Sequence, residues 1–71
     1  MVKRDKLLEK LDLGTIDAHE LRTLLKQSGW HLSRTKGSHE VWVKGINRFV
    51  LATHSKDLKP YQIKDAKGLL R

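Results

Sequence analysis

A short stretch in the middle of the sequence carries the side chains best suited to chemistry on a phosphate. Arg34 and Lys36 are cations, the Ser38 hydroxyl can donate a hydrogen bond, and Gly37 allows the positive φ that leaves backbone N–H groups uncovered in a turn. His39 follows directly, and imidazole is the side chain whose ordinary pKa lies nearest neutrality. These residue types predict a phosphate-holding turn beside a group that can move a proton.

RNA cleavage is one reaction that such a set of side chains could perform. The 2′-hydroxyl must lose a proton before it attacks the adjacent phosphorus, so the reaction needs a base, cations for the developing charge, and a held geometry. His39, Arg34 and Lys36 meet these needs. The alternative for His39 is a turn histidine that only caps a strand end through hydrogen bonds.

The residues around this turn predict a hairpin that starts just after a helix. Gly29 can take the left-handed conformation that stops a helix, and apolar residues then alternate with polar ones at strand period. We expect a turn centred on Lys36-Gly37. The predicted cross-strand pairs are Trp30 with Val43, Leu32 with Val41, and Arg34 with His39.

A second hairpin is predicted with Gly45-Ile46-Asn47 as its loop. The predicted pairs are Val43 with Phe49, Val41 with Leu51, and His39 with Thr53. This register collects apolar residues on one face, which becomes the core, and places His39 at the rim of that core. The opposite face then carries Lys44, Arg48, Trp42, Val50, Glu40 and Ala52.

Several further residues are secondary candidates for binding or catalysis. Trp42 on the predicted open face could stack on a base or contact a partner. His54 could be a general acid, although strand parity places it with Ser38 on the opposite sheet face. The cations that could follow an RNA backbone, or could only aid solubility, are Lys44, Arg48, Lys56 and Lys59. The other two histidines, His19 and His31, are assigned to the surface, and no histidine spacing matches a zinc site.

Three helices complete the predicted architecture. Leu7, Leu8 and Leu11 form one stripe of a helix over residues 5–13, and Asp17 with Glu20 has capping-box spacing before a helix over residues 18–28. Pro60 suits the first position of a closing helix that runs to about residue 70, with Ile63, Ala66 and Leu70 as its buried stripe. The order α-α-β-β-β-α predicts a two-layer α+β fold, with a three-stranded antiparallel sheet and the helices on one face.

Composition narrows the choice of partner. The 71 residues allow one domain over 1–71, and this size leaves little core for an enclosed cavity. Fifteen Lys and Arg against eight Asp and Glu give a net charge of +7, which favours nucleic acid or an acidic protein. The chain has no cysteine and no apolar run of membrane-spanning length. We therefore expect a cytoplasmic protein without a membrane partner.

The sequence resembles the HicA toxin family. The resemblance rests on Glu20-Leu21, Leu24-Leu25, Gly29-Trp30, the run from Arg34 through Lys36-Gly37-Ser38-His39, and Lys59-Pro60-Tyr61-Gln62-Ile63-Lys64. It covers about residues 17–71 as the core, and residues 1–16 resemble an N-terminal helical extension. It implies a fold like the double-stranded-RNA-binding domain and a metal-independent endoribonuclease that needs no cofactor. It also implies single-stranded or structured mRNA as substrate, a HicB antitoxin as partner, and His39 as the catalytic histidine.

Two other classes of function fit the same residues. A non-catalytic RNA-binding module would use the basic sheet and turn without His39. A basic adaptor would bind only an acidic protein.

Overall fold

The computed structural model describes residues 3–52 and 58–70. In chain order its elements are α1 (Arg4–Leu13), α2 (Ala18–Gln27), β1 (His31–Lys36), β2 (His39–Lys44), β3 (Asn47–Ala52) and α3 (Pro60–Leu70). The strands form one antiparallel sheet in the order β1-β2-β3, and the helices share a core with one of its faces. This arrangement confirms the predicted α-α-β-β-β-α two-layer fold. Within the described residues, no helix is long and apolar enough to cross a membrane.

Local signals define both ends of α2. The predicted capping box is present, because the Asp17 side chain accepts from the Glu20 N–H and the Glu20 side chain accepts from the Asp17 N–H. Gly29 has a φ of 89°, and the Trp30 N–H donates to the Leu25 carbonyl at 2.9 Å. This Schellman-type end points the chain from α2 directly into β1.

The helix α1 belongs to the same core as the sheet. Its Leu7, Leu8 and Leu11 are buried in one cluster with side chains from α2, α3 and the sheet. The Lys10 ammonium also pairs with the carboxylate of Glu20 at the start of α2. The hydrogen bond to Glu20 raises the pKa of Lys10 above its ordinary value.

The second hairpin has a shorter loop than predicted. Lys44 pairs with Asn47, so the loop is the two residues Gly45 and Ile46, and Gly45 has the φ of 60° that a type II′ turn needs at its first position. The observed pairs are Val43 with Arg48, Trp42 with Phe49, Val41 with Val50, Glu40 with Leu51, and His39 with Ala52. The predicted register was therefore wrong by one residue, which turns every side chain of β2 to the other face.

Tryptophan burial explains which register occurs. Trp42 is 1% exposed and shares the helix-facing side of the sheet with Phe49 and Leu51. The predicted register would instead have buried Val41 and Val43, which are only half-buried in the structure. An indole removes more apolar surface from water than an isopropyl group, so the observed register is the more stable one.

We predict that Leu11→Ala lowers the free energy of unfolding by about 2–5 kcal/mol, because Leu11 is 0% exposed and the substitution leaves a cavity. A domain of this size has roughly 4–11 kcal/mol in total. The measurement is urea denaturation followed by circular dichroism. Leu13→Ala on the same helix is the matched control, because Leu13 is 69% exposed, and it should change stability by less than about 0.5 kcal/mol. Equal effects of the two variants would contradict the assignment of α1 to the core.

Candidate functional site

The turn between β1 and β2 brings a histidine and a lysine together. Lys36 and His39 are directly opposite residues, and the two-residue loop between them is Gly37-Ser38. Gly37 has a φ of 58°, as a type II′ turn requires at its first loop position. Side chains of directly opposite residues leave the sheet on the same side with Cβ atoms roughly 5 Å apart. Both residues are exposed, so the ammonium of Lys36 can reach a group bound at the imidazole of His39.

A β-bulge in β1 turns Arg34 to the same side as His39. Leu32 pairs with Trp42 on the helix-facing side, whereas Arg34 pairs with Val41, so Ser33 is an extra residue in β1. With regular alternation Arg34 would lie on the same side as Leu32, and the bulge reverses this. The predicted pairing of Arg34 with His39 was wrong, because Arg34 is a diagonal neighbour of His39 and not its opposite residue.

The sheet face that carries His39 lies opposite the face that contributes Trp42, Phe49 and Leu51 to the core, and we call it the open face. Its members are His31, Arg34, Lys36, His39, Val41, Val43, Arg48, Val50 and Ala52. Half-buried Val41 and Val43 and exposed Val50 form its apolar centre, and the cationic side chains surround them. The prediction that His39 lies at the rim of the core was wrong, since it shares a face with Val41 and Val43, outside the core.

Glu40 lies on the other side of the sheet from His39. Its carboxylate accepts from Arg22 Nε at 3.0 and 3.2 Å, and Oε1 also accepts from Trp42 Nε1 at 3.1 Å. The predicted place of Glu40 on the open face was therefore wrong. The acid next to His39 in sequence is paired with a cation of α2, so it does not offset the positive charge of the open face.

Lys44 is also on the helix-facing side, contrary to the prediction. Its Nζ donates to the Ser28 carbonyl at 2.7 Å, and its side chain passes over Gly29. A cation at the C-terminal end of a helix interacts favourably with the helix dipole. Lys44 therefore stabilises the end of α2. Arg48, by contrast, is on the open face as predicted.

A groove of about 680 Å³ lies between β3 and α3, next to His39. The described residues that line it are His39, Arg48, Phe49, Val50, Ala52, Tyr61, Gln62, Lys64, Asp65, Gly68 and Leu69. Ala52, which lies opposite His39, is small, and both residues line the groove. Tyr61 is 57% exposed.

The prediction of which aromatic side chain is exposed near His39 was wrong. Trp42 was predicted on the open face but is buried, whereas Tyr61 lines the groove. Of the predicted stripe on α3, Ala66 and Leu70 are buried and Ile63 is partly buried. Tyr61 lies off that stripe, and this is the signal that could have identified it as exposed.

The remaining candidates are the other three histidines and two further lysines. His54 and Lys56 lie outside the described residues. Lys59 is exposed immediately before α3, and His19 and His31 are on the surface as predicted. Within residues 3–52 and 58–70, no three side chains of the metal-ligating types His, Asp and Glu come together.

Comparison with known families gives one result that covers most of the chain. The family model described as the HicA toxin of bacterial toxin–antitoxin systems matches residues 18–70, from the first residue of α2 to the last of α3. Comparison with curated proteins and with solved structures gave no match. The matched segment contains the whole sheet, the turn at His39 and the groove, and the chain therefore belongs to the HicA family of toxins.

Proposed function

We propose that this toxin is an endoribonuclease that cleaves mRNA on its open face, with His39 as the general base. The observation that carries the proposal is the placement of His39 with Lys36 opposite and Arg34 diagonal to it, all three exposed on one face. A general base alone could take part in many reactions. A base flanked by two cations suits a substrate that gains negative charge at phosphorus.

The proposed reaction uses these side chains in a single displacement. The imidazole of His39 takes the proton of the ribose 2′-hydroxyl, and the 2′ oxygen forms a bond to the adjacent phosphorus. The bond from phosphorus to the 5′ oxygen of the next nucleotide breaks, and that oxygen takes a proton from water. The products are a 2′,3′-cyclic phosphate and a 5′-hydroxyl. Lys36 and Arg34 stabilise the charge on the phosphoryl oxygens during the displacement.

The turn itself holds the phosphate in this proposal. Gly37 has no side chain to cover the backbone N–H groups of the loop, and no contact within 4 Å fills the position of its missing Cβ. Ser38 adds a hydroxyl donor next to His39. In this proposal Arg48, which lies further along the open face, contacts the phosphate of a neighbouring nucleotide.

We also propose that a HicB-like antitoxin neutralises the toxin by covering the open face. The apolar centre includes Val50 at 41% exposure, and cations surround it, so an acidic partner with an apolar contact residue is complementary to it. Such a partner would bury His39 and exclude RNA. Membership of a toxin–antitoxin family supports an antitoxin partner.

We predict that His39→Ala lowers the rate of RNA cleavage by about 10²- to 10⁴-fold, because the general base is removed. The measurement is cleavage of a labelled single-stranded RNA by purified toxin, with circular dichroism to confirm folding. His19→Ala is the matched control, because His19 is an exposed histidine on α2, away from the open face, and it should keep the parental rate. A His39→Ala preparation free of contaminating nuclease that cleaves at the parental rate would refute the role of His39. Loss of RNA binding together with loss of cleavage would indicate that His39 binds the RNA and is not shown to act as the base.

We predict that Arg34→Ala and Lys36→Ala each reduce the salt dependence of RNA binding, because each removes a cation that neutralises one phosphate. For single-stranded RNA the slope of log K against log salt should fall by about 0.7 for each phosphate that is no longer neutralised. Lys26→Ala is the control, since Lys26 is an exposed cation on α2. If Lys26→Ala lowered the slope as much as the other two variants, total charge and not the open face would govern binding. An adaptor for an acidic protein would not bind RNA even at low salt.

A further inference from the structure

We propose that the groove between β3 and α3 holds one unpaired nucleotide of the RNA, with its base stacked on the ring of Tyr61. This inference rests on the proposed function for the identity of the ligand as RNA. It adds a residue that selects single-stranded substrate and positions it beside His39.

The groove has the size and position for a nucleotide. Pockets that bind ligands of a few hundred daltons have volumes of roughly 300–1,000 Å³, and this groove measures about 680 Å³. His39 contributes to one wall, and Val50 and Ala52 of β3 continue it. A nucleotide in the groove therefore lies next to His39.

One side of α3 forms the opposite wall. Tyr61, Lys64, Asp65, Gly68 and Leu69 have the i, i+3, i+4, i+7, i+8 spacing of a single helix face, and all five line the groove. The core is formed by another side of the helix, which carries Ala66 and Leu70. The groove-lining side of α3 thus makes little contribution to the core. Core packing therefore does not determine which residues it carries, and these residues can contact a ligand.

Tyr61 provides the stacking surface. It is 57% exposed, although an aromatic ring gains most from burial. Base stacking on aromatic rings is a general means of holding single strands, because every base has a flat π-face. Val50, 41% exposed across the groove, offers an apolar surface to the other side of the base.

Gly68 keeps the groove open. Glycine is the poorest helix former after proline, yet nothing in the packing demands it here. A Cβ at this position would meet no atom within 4 Å, and Gly68 is not among the glycines with positive φ. The missing side chain instead leaves space about two turns along the helix from Tyr61.

The charged lining residues suit the phosphate and the base of a nucleotide. Arg48 from β3 and Lys64 from α3 are cations that attract its phosphates. The carboxylate of Asp65 suits the base, because adenine, cytosine and guanine carry amino donors and a phosphate diester carries none. A base within a duplex has both faces stacked on neighbouring base pairs and cannot use Tyr61, so the groove selects unpaired RNA.

The test is the affinity of a labelled single-stranded RNA in which every 2′-hydroxyl is methylated, so that it cannot be cleaved. Fluorescence anisotropy gives Kd for the parent protein, Tyr61→Ala, Tyr61→Phe and Gly68→Leu. Tyr61→Ala should weaken binding by about 5- to 150-fold. Tyr61→Phe should stay within about twofold, because it keeps the ring and removes only the hydroxyl. Gly68→Leu should weaken binding while keeping the fold, since leucine favours the helix and its side chain occupies the groove.

Leu13→Ala is the control for removal of an exposed apolar side chain, and it should bind RNA as the parent does. The same sequence in a duplex should bind with no dependence on Tyr61. Parental affinity of Tyr61→Ala for the single strand would overturn the inference. A loss of affinity in Tyr61→Phe equal to that in Tyr61→Ala would overturn stacking, since the hydroxyl would then be the contact. Equal dependence on Tyr61 for single strand and duplex would overturn the selection of unpaired RNA.

Cleavage measured in parallel separates this inference from the proposed function. If His39→Ala stops cleavage and Tyr61→Ala binds and cleaves as the parent does, the nuclease proposal stands and the stacking groove is wrong. If Tyr61→Ala weakens binding while His39→Ala cleaves at the parental rate, the groove stands and the catalytic role of His39 is wrong.

Discussion

Burial of the Trp42 indole is the constraint on which the arrangement of this sheet depends. Once that ring faces the helices, alternation places Val41 and His39 on the opposite side of β2, and pairing places Phe49 and Leu51 beside the indole. The carboxylate of Glu40 fits this side because Arg22 and the indole N–H satisfy it. The same packing interaction that stabilises the core therefore also determines where the exposed histidine is displayed.

Charge is divided between the two sides of the sheet. On the helix-facing side Glu40 pairs with Arg22, and Lys44 contacts the end of α2, so these charged groups stabilise the fold. On the open face the bulge at Ser33 adds Arg34 to Lys36 and Arg48. Among the residues of the three strands, the open face thus carries three cations and no carboxylate, so a polyanion that binds there meets only positive charge.

Local signals made the helices predictable, and non-local packing made the strand register unpredictable. The capping box at Asp17, the glycine at the end of α2 and the proline at the start of α3 act over a few residues, and the structure has all three. In β2, one parity buries Val41 and Val43, whereas the other buries Trp42 between two charged residues, so the apolar pattern alone favours the parity that does not occur. Glu40 also favoured the other parity, because burying a carboxylate without a partner costs free energy. That partner, Arg22, is 18 residues away, and nothing within the strand reveals it. The candidate residues near the turn were chosen by their type, but their geometry depends on a bulge that no local pattern in β1 indicates.

The bulge has a second effect, on how this chain meets other chains. β1 is an outer strand of the sheet and all six of its residues are exposed, so its unpaired backbone groups could hydrogen-bond to a strand of another molecule. A kinked edge with charged side chains is a poor template for such pairing, because the hydrogen-bonding groups lose their even spacing and like charges are brought close together. The residue that reorients Arg34 therefore also protects a small, highly exposed domain against aggregation along its edge.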